Sequence, residues 1–297
     1  MGQALARTEP AARAVFQESD DTLGFALSTL MWEGPEEVLT ETRHAQPALL
    51  THAVAVLRVV EDRLGPVAFA AGHSLGEFSA YVAAGSLAFA DAVRAVRRRG
   101  ELMFEAGQAR AGTMAAVLGM DDADVEAVCA AVTAGVCVPA NFNSAGQVVI
   151  SGDRDGVAEA MARAQEAGAR RVVELNVSGA FHSPLMAPAE DGLRSHLADV
   201  AFADPAMPVI SNVTAGPVTS GEEARDLLVR QLTSPVRWSS SVAAMVDGGA
   251  DRFLELGPGT VLCGLNRRNA RGLACRSVGE PADLTSLDEF APTEETP

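Results

Sequence analysis

The chain contains no lysine: all 23 of its basic residues are arginine. With alanine so abundant, that reads as the codon usage of a GC-rich genome rather than as chemistry. Positive charge is scarce overall, with 39 acidic residues setting a formal net charge of -16. This excludes a general nucleic-acid binder, whose partner's phosphates need a basic face. It says little about a small anionic substrate, which responds to the local field rather than to the sum. Long hydrophobic runs are missing too. The most apolar stretches, such as Val67 to Ala71, are far too short to span a bilayer. Met1 to Arg13 already carries Arg7, Glu9 and Arg13, which is not the pattern of a signal peptide. A cytoplasmic location is therefore expected. Cys129, Cys137, Cys263 and Cys275 are scattered, with no C-x-x-C pair and no neighbouring ligand cluster. Reduced core thiols and no metal are the expectation.

What is present is an ordinary globular balance, 48% hydrophobic and 21% charged over 297 residues, enough for one large domain with a smaller insert. Pro10 to Leu23 and Pro47 to Leu64 show helical periodicity, the second ending at Gly65-Pro66. The run Val67 to Ala71 predicts a strand buried on both faces, and Glu77 to Ala84 a following helix. Strand, tight turn, helix is the skeleton of an α/β fold. Between 112 and 177 the order is strand, helix, strand, strand, helix, strand, the ferredoxin-like βαββαβ pattern. The expected organisation is a large α/β unit from 1–111 and 178–279, a small unit at 112–177, and a loose tail at 280–297. Val209 to Val213 and Arg252 to Leu256 are expected to return to the main sheet.

The turn Gly72-His73-Ser74-Leu75-Gly76 matches G-x-S-x-G between a buried strand and a helix. In that context the sharp turn exposes the Ser74 hydroxyl and aims the helix N-terminus at it. The Leu75 N–H then becomes an oxyanion donor. Side chains at 72 and 76 are expected to collide with neighbouring elements. A serine is a weak nucleophile without a base. Of the five histidines, His52 falls on a periodic helix, His73 points away from its neighbour Ser74, and His196 lies on a solvated helix. His182 follows a strand into an irregular loop, where site residues collect, and is the favoured base. Read by itself, Arg97-Arg98-Arg99 would be a solvated helix face.

Several ordered segments together resemble the malonyl-CoA:acyl carrier protein transacylase family, including the acyltransferase domains of polyketide synthases. They are Thr40 to Leu50 with Gln46-Pro47-Ala48, Gly72 to Ala80, Arg99 to Met103, Gly112 to Gly119, Asn141 to Ser144, Gly179 to Met186, Gln231 to Trp238 and Glu255 to Leu265. The resemblance implies a hydrolase-like parallel-sheet core with an inserted ferredoxin-like subdomain. It implies transfer of malonyl from malonyl-CoA to the phosphopantetheine thiol of an acyl carrier protein, with no bound cofactor. By it Ser74 is the nucleophile, His182 the general base, and Arg99 the bidentate partner of the malonyl carboxylate. Gln231 orients the histidine through its backbone carbonyl, and Phe181 crowds an α-methyl branch, a modest selection of about 1–3 kcal/mol.

The chain also departs from the family. The usual opening strand and its Phe-Pro-Gly-Gln-Gly-Ser-Gln segment, source of a second oxyanion donor, have no counterpart. A gap or exposed edge in the main sheet is therefore expected, and a start upstream of Met1. Two other readings stay open: an esterase or thioesterase with an acid such as Asp153 or Asp155, and a weakened or inactive relative of the acyltransferases that serves as a non-enzymatic scaffold. Arg94, Arg97, Arg98, Arg267, Arg268 and Arg271 are candidates for a local basic patch that docks the carrier protein.

Overall fold

The computed structural model describes residues 1–177 and 179–287. The helix Pro10–Leu23 begins at a proline, whose fixed φ suits a first turn, and ends at Gly24 in the left-handed region, φ 72°. The next long helix, Thr42–Val60, starts five residues earlier than its periodicity predicts and runs through Pro47. Proline there deprives the Arg43 carbonyl of its helical donor. Arg97 supplies one instead, donating to that carbonyl at 2.9 Å. The helix Phe89–Ala109 crosses close by, because Gly100 has no side chain to strike the backbone of Thr42 and Arg43. This close crossing brings Gln46 and Arg99 face to face.

Strand β1 is only Ala70–Ala71, shorter than the predicted run. The remaining strands are β2 Gly112–Leu118, β3 Cys137–Ser144, β4 Gln147–Asp153, β5 Arg171–Glu174, β6 Val209–Ile210, β7 Pro217–Val218, β8 Arg252–Leu256 and β9 Ala274–Val278. β1 pairs in parallel with β6, which pairs antiparallel with β7. β8 does not join that sheet as expected; among the described residues it pairs, in parallel, with β9 alone. Between β1 and β8 lies a cavity of about 1130 Å³, lined by Leu49, Ala53, Val67, Phe69, Phe253 and Leu256. No ladder crosses it among the described residues, so the expected gap in the sheet is present. The main core packs around this framework, with Phe16, Leu50, Val54, Phe78, Tyr81, Val96 and Leu193 all buried.

The four strands β3-β4-β2-β5 form one antiparallel sheet, in the predicted βαββαβ order. Their side chains alternate between two faces, as the pleat requires. Ala115, Val117 and Ile150 pack under the helices Asp122–Ala130 and Arg154–Glu166, while Met114, Ala140 and Val149 meet Phe181 on the other face.

Two expectations need correction. Cys263 and Cys275 form a disulfide, their Cα atoms 5.4 Å apart, because the helix Val261–Asn269 turns directly into β9. Cys129 and Cys137 are free and buried. The start of the supposed loose tail is ordered. Pro281–Ser286 form a 3₁₀ turn closed by a Glu280–Asp283 capping box, and Leu287 is buried. Residues 288–297 lie outside the described residues. Among the described residues, no helix is long and apolar enough to cross a membrane.

Candidate active site

Ser74 occupies the turn between β1 and the helix Gly76–Ala83, with φ 51° in the left-handed region that non-glycine residues avoid. Gly72 makes the turn feasible, since a Cβ there would collide with the Gly76 backbone. The expected collision at Gly76 is absent, with open space around its missing side chain. The Leu75 N–H has no hydrogen-bond partner among the described residues. It stands free at the helix start, where an oxyanion would meet it.

His182 also has a left-handed backbone, φ 56°, so both members of the pair are held in strained conformations. Its Nε2 lies 2.7 Å from Ser74 Oγ, and its Nδ1 lies 2.9 Å from the Gln231 carbonyl oxygen. The carbonyl can only accept, so Nδ1 carries the proton and Nε2 is left to take one from the serine. Burial, reinforced by the Arg99 charge, lowers the His182 pKa to about 3. The imidazole is neutral at physiological pH, as a base must be. Asp153 accepts from Arg110 and from the Val136 N–H, so it does not complete a triad. Gln231, on the turn after the helix Gly221–Arg230, presents its backbone carbonyl to His182 Nδ1.

Arg99 is 1% exposed, which corrects the solvated-face reading of the residues alone. Its neighbours are half-buried at the helix surface: Arg97 and Arg98 both reach Glu101 on their own helix, and Arg97 also reaches the Arg43 carbonyl. The Arg99 guanidinium donates to Gln46 Oε1 at 2.7 Å, Gln231 Oε1 at 2.9 Å and Ser74 Oγ at 3.1 Å. Burial lowers its pKa to about 10, which leaves it charged at neutral pH. The countercharge beneath it is Glu77, fully buried, with its pKa raised to about 7 by desolvation and pulled back by Gln231, Asn212 and Arg99.

The structure thus brings together Ser74, Leu75, Arg99, His182 and Gln231 from four separated segments. Phe181 stands apart from their hydrogen bonds, its ring partly buried between the large core and the inner face of the small sheet. His73 turns away from Ser74 to meet Asn143 Oδ1 at 2.9 Å, and His52 is a core residue bonded to the Gly279 carbonyl. Residue-by-residue reading missed Gln46, Glu77 and Asn212. Glu77 did carry a signal, since it shares the apolar stripe of its helix with Ala80 and Tyr81. A second cavity, about 370 Å³, reaches His182 between the small sheet and the 233–237 loop, past Cys137, Phe142, Thr233 and Arg237.

A strained serine at a strand-to-helix turn, bonded to a neutral buried histidine and facing a buried guanidinium, is the geometry of a serine acyl-transfer site. Residues 1–285 match the family described as "Acyl transferase domain". The chain belongs to that family. It is 46% identical over 286 residues to the malonyl CoA-acyl carrier protein transacylase of Bacillus subtilis, covering 96% of this chain and 90% of that one. Among solved structures, an acyl carrier protein S-malonyltransferase from Vibrio cholerae superposes with a TM-score of 0.94 at 42% identity, covering 97% of this chain and 94% of that chain. A type II PKS acyl-carrier protein in complex with its malonyl-transacylase gives 0.93 at 40% identity, covering 98% and 94%.

Proposed function

We propose that this chain transfers a malonyl group from malonyl-CoA to the phosphopantetheine thiol of an acyl carrier protein, through an acyl–Ser74 intermediate. The observation that carries this reading is the buried Arg99 guanidinium 3.1 Å from Ser74 Oγ. A cation taken out of water beside the nucleophile favours an acyl group that brings its own carboxylate. Malonyl does, and acetyl does not.

The chemistry follows from the positions. Ser74 Oγ attacks the thioester carbon as its proton passes to His182 Nε2, and the Gln231 carbonyl holds the resulting imidazolium through Nδ1–H. Negative charge on the carbonyl oxygen is met by the Leu75 N–H. The carbon–sulfur bond then breaks and CoA leaves with the proton from His182. In the second half the carrier thiol gives its proton to His182, its sulfur attacks the ester, and Ser74 Oγ departs and is reprotonated. These side chains supply every step, so no bound cofactor is needed. The cavity beside His182 is the route we assign to the thioester arm, and the ring of Phe181 the element that disfavours an α-methyl branch. We place the reaction in the cytoplasm, serving fatty acid or polyketide chain growth. The large and small units described for the sequence act as the two walls of the cleft.

Intact mass spectrometry after incubation with malonyl-CoA tests the acyl-enzyme. A malonyl adduct on the wild type that is lost in Ser74→Ala is expected. An adduct that survives the substitution would remove Ser74 from the role. Adding a carrier protein with its phosphopantetheine arm must then move the label to the carrier faster than water releases it; the reverse would make the protein a thioesterase.

A further inference from the structure

The backbone at Ser74 is strained, and the elbow's own bonds, from the Gly76 N–H to the His73 carbonyl and from the Glu77 N–H to the Ser74 carbonyl, hold only its helical limb. The brace comes from the loop after β6. The Asn212 side-chain amide is fully buried and spans the turn: Oδ1 accepts from the Ser74 N–H at 2.6 Å, and Nδ2 donates to the Gly72 carbonyl at 2.7 Å. One planar group therefore ties both limbs of the elbow. Asn212 is itself fixed on both sides, its carbonyl accepting from the Arg237 N–H at 3.0 Å and its N–H donating to Glu77 Oε2 at 3.1 Å.

Glu77 extends the brace to the other side of the site. The same Oε2 accepts from Gln231 Nε2 at 2.6 Å. Oε2 already accepts from the Asn212 N–H, so it presents an acceptor to the Gln231 amide and decides which end faces it. That leaves Gln231 Oε1 for Arg99 and sets Gln231 Nε2 against the Ser74 carbonyl at 3.1 Å. Each of these bonds ends on Ser74 itself or on a group that touches it.

We propose that Asn212 and Glu77 are positioning residues for acyl transfer. Asn212 locks the elbow so that Ser74 Oγ stays within reach of His182, and Glu77 fixes the polarity of the Gln231 amide so that Arg99 stays aimed at the acyl pocket. The inference rests on Ser74 being the nucleophile. It does not rest on which acyl group the pocket takes.

The test uses two probes on the full chain. A fluorophosphonate, which reacts with an activated serine and carries no carboxylate, reads the nucleophile alone; malonyl-CoA and acetyl-CoA read the acyl pocket. In Asn212→Ala, fluorophosphonate labelling and kcat should each fall about 100-fold, since small misplacement of a reacting group costs that much, while the KM for malonyl-CoA stays near wild type. Asn212→Asp keeps the acceptor for the Ser74 N–H but sets an oxygen against the Gly72 carbonyl. It should lose about 10-fold or more in labelling while still unfolding cooperatively, which covers the case of an Asn212→Ala protein that does not fold. Glu77→Gln should leave labelling less affected but weaken the preference for malonyl-CoA over acetyl-CoA, because Gln231 can now turn its amide. A purely structural role would lower the melting temperature and move neither ratio. Folded Asn212 variants that label at the wild-type rate would overturn the proposal. A wild type labelled by fluorophosphonate but not by malonyl-CoA would instead sink the substrate reading, and the variant comparison would still decide the role of Asn212.

Discussion

The elbow region and the small antiparallel sheet solve opposite problems. The small sheet buries what is easy to bury: Ala115, Val117, Val148 and Ile150 on one face, in uninterrupted register between β2 and β4. Its carboxylates stay at the surface with local partners, Asp153 with Arg110 and Glu159 with Arg163. The elbow region buries what is costly to bury. Arg99, Glu77, Asn212, Gln231 and His182 are all nearly inaccessible, and two non-glycine residues there have left-handed backbones. Such strain and buried charge persist only where surrounding structure over-determines them. The small sheet reads as a wall built for stability, and the elbow as a site whose polar groups hold one another in place.

Damage to each region should therefore separate stability from chemistry. Ile150→Ala removes a fully buried side chain from the small sheet, and should cost about 2–5 kcal/mol in urea unfolding. The acylation rate of the molecules that remain folded should be unchanged. If that rate collapsed with stability, the division between wall and site would be wrong.

A smaller effect concerns pH. His182 faces Arg99, His73 and the Gln231 and Ser234 backbone, and its pKa is lowered to about 3 from 6.5. Between those values the unfolded chain binds the proton and the folded one does not, so this group costs stability as pH falls from about 6.5 towards 3. Glu77 has the opposite sign: with its pKa raised from 4.5 to about 7, its neutral form favours the folded state below 4.5, and that contribution is lost as pH rises through 7. The account predicts that acylation by malonyl-CoA shows no acid limb at the ordinary imidazole value near 6.5. A limb there in the pH profile of kcat/KM, unaccompanied by unfolding and retained in Glu77→Gln, would mean that His182 is not held in this buried state.

Much of this was legible in the sequence where local chemistry dictates structure. The glycine at 72 and the strand-to-helix context mark the elbow, and the alternation in 112–177 marks the antiparallel sheet. His182 was found because a loop after a strand is where such residues gather. Arg99 shows the limit. Its neighbours Arg97 and Arg98 stay half-buried at the helix surface, and only the close helix crossing at Gly100 turns Arg99 inward against Gln46. Residue types gave no hint of it; the family resemblance did. Asn212 was invisible because its side-chain partners Ser74 and Gly72 lie 138 and 140 residues away, and its role exists only once β6 lies beside β1. The Cys263–Cys275 pair was missed because compartment, not geometry, guided the expectation.

The central claim is that a buried guanidinium beside the nucleophile selects an acyl group bearing a carboxylate. The direct measurement is the acylation rate of Ser74 with malonyl-CoA and with acetyl-CoA, in the wild type and in Arg99→Ala. Losing a buried, hydrogen-bonded charge pair costs about 2–5 kcal/mol, so kcat/KM for malonyl-CoA should fall by about 30- to 4000-fold while acetyl-CoA is spared or improved. Equal losses for the two thioesters would contradict the account, because Arg99 would then be holding the site together rather than recognising the carboxylate.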